Sequence, residues 1–254
     1  MKKNKKIHIA VLFGGKSAEH EVSIRSAQSI YNALDKQKYD ITLIGIDKNG
    51  VWIPFNTEKL LSSKRILLSE QNMNVSTAVA SYGTNGEFLA KKGNGGMKKV
   101  DIVFPVLHGP FGEDGTIQGL LKLANVPFVG AGVLGSAVGM DKDVAKRLLR
   151  DAGLPTAHFH VYNEYEKKTI SFEKIKVNLG LPFFIKPANL GSSVGITKVH
   201  NKAEFLKAIN SAFHYDNKIL IEEYIRGKEI ECSVLGNGKP TASVCGEIIP
   251  HQSS

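Results

Sequence analysis

The sequence predicts an α/β protein built on a parallel sheet, and three stretches carry that expectation. The chain opens strand, Gly-Gly turn, helix, strand, a βαβ unit whose two strands must run parallel. A second buried run, Asp101 to Leu107, ends in His108-Gly109-Pro110-Phe111-Gly112-Glu113-Asp114-Gly115. A third, Pro182 to Ile185, leads through Lys186 and a loop of small residues into another strand.

The bulk numbers agree with a folded, multi-part chain. At 254 residues, 42% hydrophobic and 22% charged, it is long enough for one large domain or two to three small ones. No window approaches the roughly 18 apolar residues of a membrane span. The basic start, Met1-Lys2-Lys3-Asn4-Lys5-Lys6, is followed by an apolar run too short for a signal peptide, so a first strand and a cytoplasmic location are expected. The two cysteines, Cys232 and Cys245, lack metal-ligand spacing and are expected as buried thiols in a reducing compartment. The net charge of +9 raises the question of nucleic acid. Lys2, Lys3, Lys5 and Lys6 form a tail, and Lys91, Lys92, Lys98 and Lys99 sit in a glycine-rich loop; these eight account for all but one of the net charges. No basic stripe interleaved with aromatics remains, so neither nucleic acid nor membrane is an expected partner.

In chain order, Ile7 to Phe13 is the first strand, and Gly14-Gly15 ends it in a tight turn. Val22, Ala27, Ile30, Tyr31 and Leu34 mark one face of a helix that begins near Ser17 or Ala18, and Ile41 to Ile46 is the second strand. In parallel sheets ligands gather at the carboxyl ends of strands beside helix N-termini, which directs attention to Glu19 and His20. The plainer reading of Glu19 is a carboxylate that complements the helix dipole. Between residues 47 and 99, Gly83, Gly86, Gly93, Gly95 and Gly96 suggest a hairpin with a mobile tip and no nameable chemistry. After the Asp101 to Leu107 strand, His108 stands at a carboxyl end, again crevice chemistry. Thr116 to Ala124 reads as a helix and Val126 to Val129 as a strand.

Residues 130 to 135 match GxGxxG, but no strand ending in an acid follows at the distance a dinucleotide fold requires. Instead Asp141 opens a helix carrying Val144, Ala145, Leu148 and Leu149, stopped by Gly153 and Pro155. Phe159 to Tyr162 reads as a strand and Phe172 to Leu179 as an amphipathic helix. The stretch Leu181 to His200 follows: an apolar strand, Lys186 at its end, a turn with Pro187, Asn189 and Gly191, then Ser192-Ser193-Val194-Gly195, then Ile196 to Val199 as a strand. Glycines that admit backbone N–H groups, serine hydroxyls and a compact lysine charge suit a polyphosphate. An ordinary Gly/Ser-rich hairpin loop has the same composition. Ala203 to Phe213 is a helix, and Ile219 to Ile221 a strand running into Glu222-Glu223-Tyr224-Ile225. Glu229 to Leu235 alternates with period two, which sets Ile230, Cys232 and Val234 on one face. Glu222 and Glu229 are the right groups to hydrogen-bond a ribose or an adenine amino group; taken singly, each reads equally as surface charge.

Together these residues resemble a known family. Gly14 to Ser23 (GGKSAEHEVS), Leu107-His108-Gly109 through Gly119, Met140-Asp141-Lys142, Ile185-Lys186-Pro187 with Gly191 to Gly195, and Ile221 to Ile225 are similar, in order, to the signatures of D-alanine–D-alanine ligases. The resemblance implies an ATP-grasp architecture: an N-terminal doubly wound parallel-sheet domain over residues 1–132, a central α+β ATP-binding subdomain over 133–222, and the beginning of a C-terminal subdomain over 223–254. It implies ATP-dependent ligation of two D-alanines through an acyl phosphate for peptidoglycan precursors, in a bacterial cytoplasm, with a homodimer as the assembly. Catalytic roles fall on Glu19, His108 and Ser192. Lys142, Lys186, Gly191, Ser193, Val194 and Gly195 are implied at the ATP phosphates, and Glu222, Glu223, Tyr224, Ile225 and Glu229 at adenine and ribose. The family pattern continues past Ser254 with a mobile loop, a catalytic arginine and the ligands of Mg2+ or Mn2+. No metal ligand is therefore expected among these residues, and the 254-residue chain alone is expected to be inactive. A ligase that takes D-lactate or D-serine as second substrate, or a non-catalytic nucleotide-binding fragment, are the alternatives.

Overall fold

The structure, a computed structural model, describes residues 5–55, 80–82, 88–91 and 96–249 of the chain. Its first sheet has the order β3-β2-β1-β7, where β1 is Ile7–Gly14, β2 Tyr39–Ile46, β3 Trp52–Phe55 and β7 Ile102–Val106. β2, β1 and β7 run parallel; β3 is an antiparallel edge. The first strand reads as a near-continuous apolar run because both its faces are covered. Ile9, Val11 and Phe13 pack with Ile24 and Ala27 of helix α1 (His20–Ala33), while Ala10 and Leu12 pack with Ile117 and Leu121 of α2 (Thr116–Leu123). This is the doubly wound layer structure the βαβ pattern points to.

Three further short strands, β4 (Ala80–Tyr82), β5 (Phe88–Lys91) and β6 (Met97–Lys99), form an antiparallel sheet, consistent with a hairpin. Gly83, Gly86, Gly93 and Gly95 lie outside the described residues.

The second four-stranded sheet has the order β10-β9-β11-β8 and is antiparallel throughout: β8 Phe159–Asn163, β9 Phe183–Pro187, β10 Thr197–Val199 and β11 Lys218–Glu223. One face carries Phe183, Ile185, Ile219 and Ile221 against helices α5 (Phe172–Leu179) and α6 (Lys202–Tyr215). Phe183 forms an aromatic trio with Phe172 and Phe205 at centroid distances of 6.2 and 5.9 Å. Period-two alternation therefore turns Phe184, Lys186, Leu220 and Glu222 to the opposite face. Between the two sheets run α3 (Val133–Met140) and α4 (Lys142–Asp151).

Several expectations are corrected. Of the expected face of α1, Ala27 is buried and Ile30, Tyr31 and Leu34 pack against the same cluster, but Val22 is exposed, and His20, Ser23 and Ile24 complete the buried side; the helix starts at His20 rather than at Ser17 or Ala18. Val126 to Val129 makes only one bridge, Val103 to Phe128, because Pro127 has no N–H to extend it. Leu148 and Leu149 are exposed: the buried side of α4 is polar, with Asp143 inward. The supposed continuous strand 229–235 is two ladders, β12 (Glu229–Glu231) with β15 (Gly246–Ile248) and β13 (Val234–Leu235) with β14 (Thr241–Ala242). Between them two residues on one strand face three on the other, a bulge that breaks the register. Cys232 and Cys245 flank this bulge as exposed free thiols, since no described element packs over these strands. Among the described residues, helix α3, a 3-10 helix at Glu164–Thr169 and the short strands β3, β14 and β15 are elements the periodicity did not reveal.

Candidate active site

The site lies where the carboxyl ends of β1 and β7 meet the loop after β9. At the first sheet, Ser23 Oγ accepts from Gly14 N–H at 2.8 Å and donates to the Val106 carbonyl, tying the two strand ends together. His20 does not face the crevice: it is buried, with Nδ1 2.6 Å from the Gly15 carbonyl, and pins the Gly-Gly turn. Ser17 Oγ donates to the His108 carbonyl at 2.7 Å and accepts from Glu19 N–H at 3.2 Å, which joins the two motifs. The His108 ring is bracketed by Ser26 Oγ, 3.0 Å from Nε2, and by Glu113, whose Oε1 is 3.9 Å from Nδ1. Glu113 also accepts from Gly109 N–H at 2.7 Å.

Glu19, at the N-cap of α1, does not cap the helix with its side chain. Its carboxylate instead accepts a hydrogen bond from Ser192 Oγ, 173 positions along the chain. It fits between two glycines: a Cβ added at Gly109 would collide with Oε2, and one at Gly191 would stand 3.1 Å from it.

The loop from Gly191 to Gly195 is strained in an informative way. Ser192 and Ser193 adopt φ of 48° and 60°, left-handed values uncommon for non-glycine residues, and Gly195 has φ of 71°. A Cβ at Gly195 would come within 2.7 Å of Tyr215 Cδ2 and 2.8 Å of Pro187 Cγ. Asp216 fixes the root of the loop by accepting from Asn189 N–H at 2.7 Å and from its Nδ2 at 3.0 Å. Such outliers persist only where surrounding structure over-determines them, and they cluster at ligand clamps.

A lysine-rich cluster stands beside the loop. Lys142 Nζ donates to the carbonyls of Leu190 and, at 3.3 Å, Ala188. Burial and then the charge of Lys186 hold its pKa below the ordinary 10.5. Lys186, inside β9 rather than at its end, pairs with Glu222 Oε1 at 2.8 Å, and Lys146 pairs with Oε2 at 2.9 Å. Lys218 pairs with Asp141 at 2.5 Å and lies 3.7 Å from Asp143. Burial pushes the Asp141 carboxyl up, but its hydrogen bond to Lys218, the N–H groups of Val144 and Asp143 and the Lys218 charge hold it below 3.8 overall. Lys146, Lys218 and Ser26 were not singled out from sequence. Lys146 alone left a signal, one helical turn after Lys142 on the same face of α4.

The remaining residues divide. Tyr224 packs on Phe184 at 5.9 Å with Lys198 Nζ 3.8 Å over its ring, on the same face as Lys186 and Glu222. Ile225 is exposed just beyond. Glu223 points away from that group: its Oε1 accepts from His158 N–H at 2.7 Å and so anchors the start of β8. Glu229 is exposed on β12, a strand outside the second sheet. Between the sheets is a cavity of about 760 Å³ lined by His108, Glu113, Gln118, Ser136, Lys142 and Gly191, within the range of small-molecule sites. Among the described residues no group of three or more His, Cys, Asp or Glu side chains is placed to hold a metal ion.

Residues 8–131 match the family model of the D-ala D-ala ligase N-terminus, and residues 148–254 that of the C-terminus. The chain is 50% identical over 244 residues to a D-alanine–D-alanine ligase of Oceanobacillus iheyensis, covering 95% of this chain and 67% of that protein. It is 46% identical over 246 residues to D-alanine–D-alanine ligase A of Escherichia coli, covering 96% and 68%. Among solved structures, the D-alanine–D-alanine ligase of Coxiella burnetii matches with a TM-score of 0.82 at 38% identity, covering 98% of this chain and 70% of that one. The VanG D-Ala:D-Ser ligase of Enterococcus faecalis matches with a TM-score of 0.81 at 38% identity, covering 96% and 70%. The chain spans about two thirds of the length of these relatives, and with two family models matched in order along it, it belongs to the D-alanine–D-alanine ligase family.

Proposed function

We propose that the protein is the ATP-dependent ligase that joins two D-alanines into D-alanyl-D-alanine for peptidoglycan precursors. The observation that carries this reading is the contact between Glu19 and Ser192, beside His108 on one side and the Lys142–Lys186 cluster on the other. A carboxylate suited to an ammonium thus stands one loop away from cations suited to a polyphosphate.

In the first step the ammonium of one D-alanine pairs with Glu19, which points its carboxylate along the loop toward the γ-phosphate. A carboxylate oxygen attacks phosphorus, the bond to ADP breaks, and an acyl phosphate forms. In the second step the amine of another D-alanine, having lost a proton, attacks the acyl carbon and inorganic phosphate leaves. The protein's part is positioning and charge stabilisation. Lys142 and Lys186 take phosphate oxygens, backbone N–H groups of the loop at Ser193 to Gly195 close over them, and His108 and Ser192 orient the reacting carboxylate. Glu222 and the backbone at Glu223 and Ile225 face adenine, Tyr224 flanks it, and Glu229 meets the ribose. A divalent ion, Mg2+ or Mn2+, would neutralise phosphate charge, with ligands outside the residues described. The assembly we infer is a cytoplasmic homodimer with the domain limits given above, without nucleic acid or membrane as partner.

The test is phosphate release from Mg-ATP by the protein expressed from its complete reading frame. D-alanine, L-alanine, D-alanine with D-lactate, and D-alanine with D-serine are compared. Release with D-alanine alone, with the dipeptide found by mass, is expected. The 38% identical D-Ala:D-Ser ligase makes D-serine the second reading, and faster turnover with the D-serine mixture would select it. No release in any mixture would refute the ligase assignment.

A further inference from the structure

Among the described residues, Glu222 is a carboxylate on the open face of the second sheet that two lysines share. Lys186 Nζ is 2.8 Å from Oε1 and Lys146 Nζ 2.9 Å from Oε2, and all three side chains are largely buried, at 15%, 17% and 12% exposure for Lys186, Lys146 and Glu222. The two lysines come from different elements. Lys186 is in β9, next to the loop, whereas Lys146 rises from α4 on the far side and passes over the Phe159 ring at 5.4 Å. A buried carboxylate needs a partner, and losing one that is not replaced is costly. One carboxylate held by two cations leaves a cation to give away.

We propose that Lys146 is the residue that holds Glu222 in place when Lys186 transfers from Glu222 to the phosphates of bound nucleotide, and that it thereby sets the preference for adenine. This inference rests on the nucleotide reading above. When Lys186 leaves, Glu222 Oε1 becomes a free acceptor on the sheet face that also carries Phe184, the register partner of Glu222, with Tyr224 packed on it. Lys146 keeps its ion pair with Oε2, by distance and without hydrogen-bond geometry, which leaves the freed oxygen to accept from the 6-amino group of adenine. A 6-oxo purine offers a carbonyl there and is rejected. Without Lys146, Glu222 must keep Lys186, which weakens the hold on phosphate and removes the acceptor together. Lys146 touches neither substrate nor phosphate in this account; it is a positioning residue that acts through Glu222.

The experiment compares dissociation constants for ATP and for inosine triphosphate in the complete protein, in wild type, Lys146→Met, Lys146→Arg, Glu222→Gln and the double variant Lys146→Met/Glu222→Gln. Wild type is expected to favour ATP by about tenfold or more, the range of one charge-assisted hydrogen bond. Lys146→Met should bring the ratio near one and weaken ATP, and Lys146→Arg should retain most of the preference. Lys146→Met should change the ratio no further in the Glu222→Gln background, which a merely structural lysine would not reproduce. A Lys146→Met protein that keeps the wild-type ratio, or a double variant whose ratio falls additively, overturns the proposal; if Lys146→Met fails to fold, loss of preference in the folded Lys146→Arg protein does so. Wild-type protein that binds neither nucleotide would overturn the nucleotide reading itself, a result visible before any variant is made.

Discussion

Replacing Gly195 by alanine tests whether the 191–195 loop is built to one geometry. Two costs add. Alanine at φ of 71° is in the left-handed region, about 1–2 kcal/mol above its preferred states. Its Cβ would stand 2.7 Å from Tyr215 Cδ2 and 2.8 Å from Pro187 Cγ, where ordinary contact begins near 3.4 Å, so the neighbours must part by more than half an ångström. Tyr215 is half exposed and its ring can turn, but Pro187 is held in β9 between β10 and β11. Overpacking of this kind costs about 1–3 kcal/mol. If the fold absorbs all of it, the loss of about 2–5 kcal/mol lowers Tm by roughly 4–20 °C for a chain of this size. If the exposed loop moves instead, Ser192 leaves Glu19, and an ångström of misplacement costs about a hundredfold in kcat/KM. Thermal melting and steady-state kinetics with ATP and D-alanine, on the complete protein, read both channels. A Gly195→Ala protein with Tm within 2 °C of wild type and unchanged kcat/KM refutes the argument.

Three other outcomes are expected. Phe183→Ala, at the centre of the Phe172–Phe205 trio and fully buried, should destabilise by about 3–5 kcal/mol in denaturant titration, and a loss below about 1 kcal/mol would contradict the packing account. Asp141 is held below 3.8 in the fold, so its ion pair with Lys218 stabilises above that pH and is lost as pH falls through the lowered value. Asp141→Asn keeps the cap of α4 and removes the charge; its Tm deficit should be present at neutral pH and vanish in acid, and a deficit independent of pH would be inconsistent with this. Lys142 is held below 10.5, and it must be charged to bind phosphate, so ATP affinity should fall as pH rises through that lowered value, before 10.5 is reached. Lys142→Arg should flatten that fall, and an equal fall in both proteins would show that another group titrates.

The apolar run of β1, the Gly-Gly turn and the strand at Ile102–Val106 determine by themselves that a parallel, two-sided layer forms, because both faces of each strand must be covered. Glycine and serine content likewise marks the 191–195 loop, and the motifs name Glu19, His108, Lys142 and Lys186. What the sequence does not contain is distance. That Ser192 closes on Glu19, that Gly109 and Gly191 leave room for the carboxylate, and that Lys146 and Lys186 share Glu222 depend on packing between elements far apart in the chain. Period-two alternation allows Glu222 or Glu223 to be the inward acid; the register of β11 against β9 chooses Glu222 and sends Glu223 to His158. The same limit misplaced the cysteines: alternation of Ile230, Cys232 and Val234 predicts a buried side, but burial requires an element packed over it, and a bulge at Cys232 breaks the alternation itself. Local periodicity fixes which side of an element a residue occupies, whereas what lies opposite that side is decided only when the sheets and helices pack.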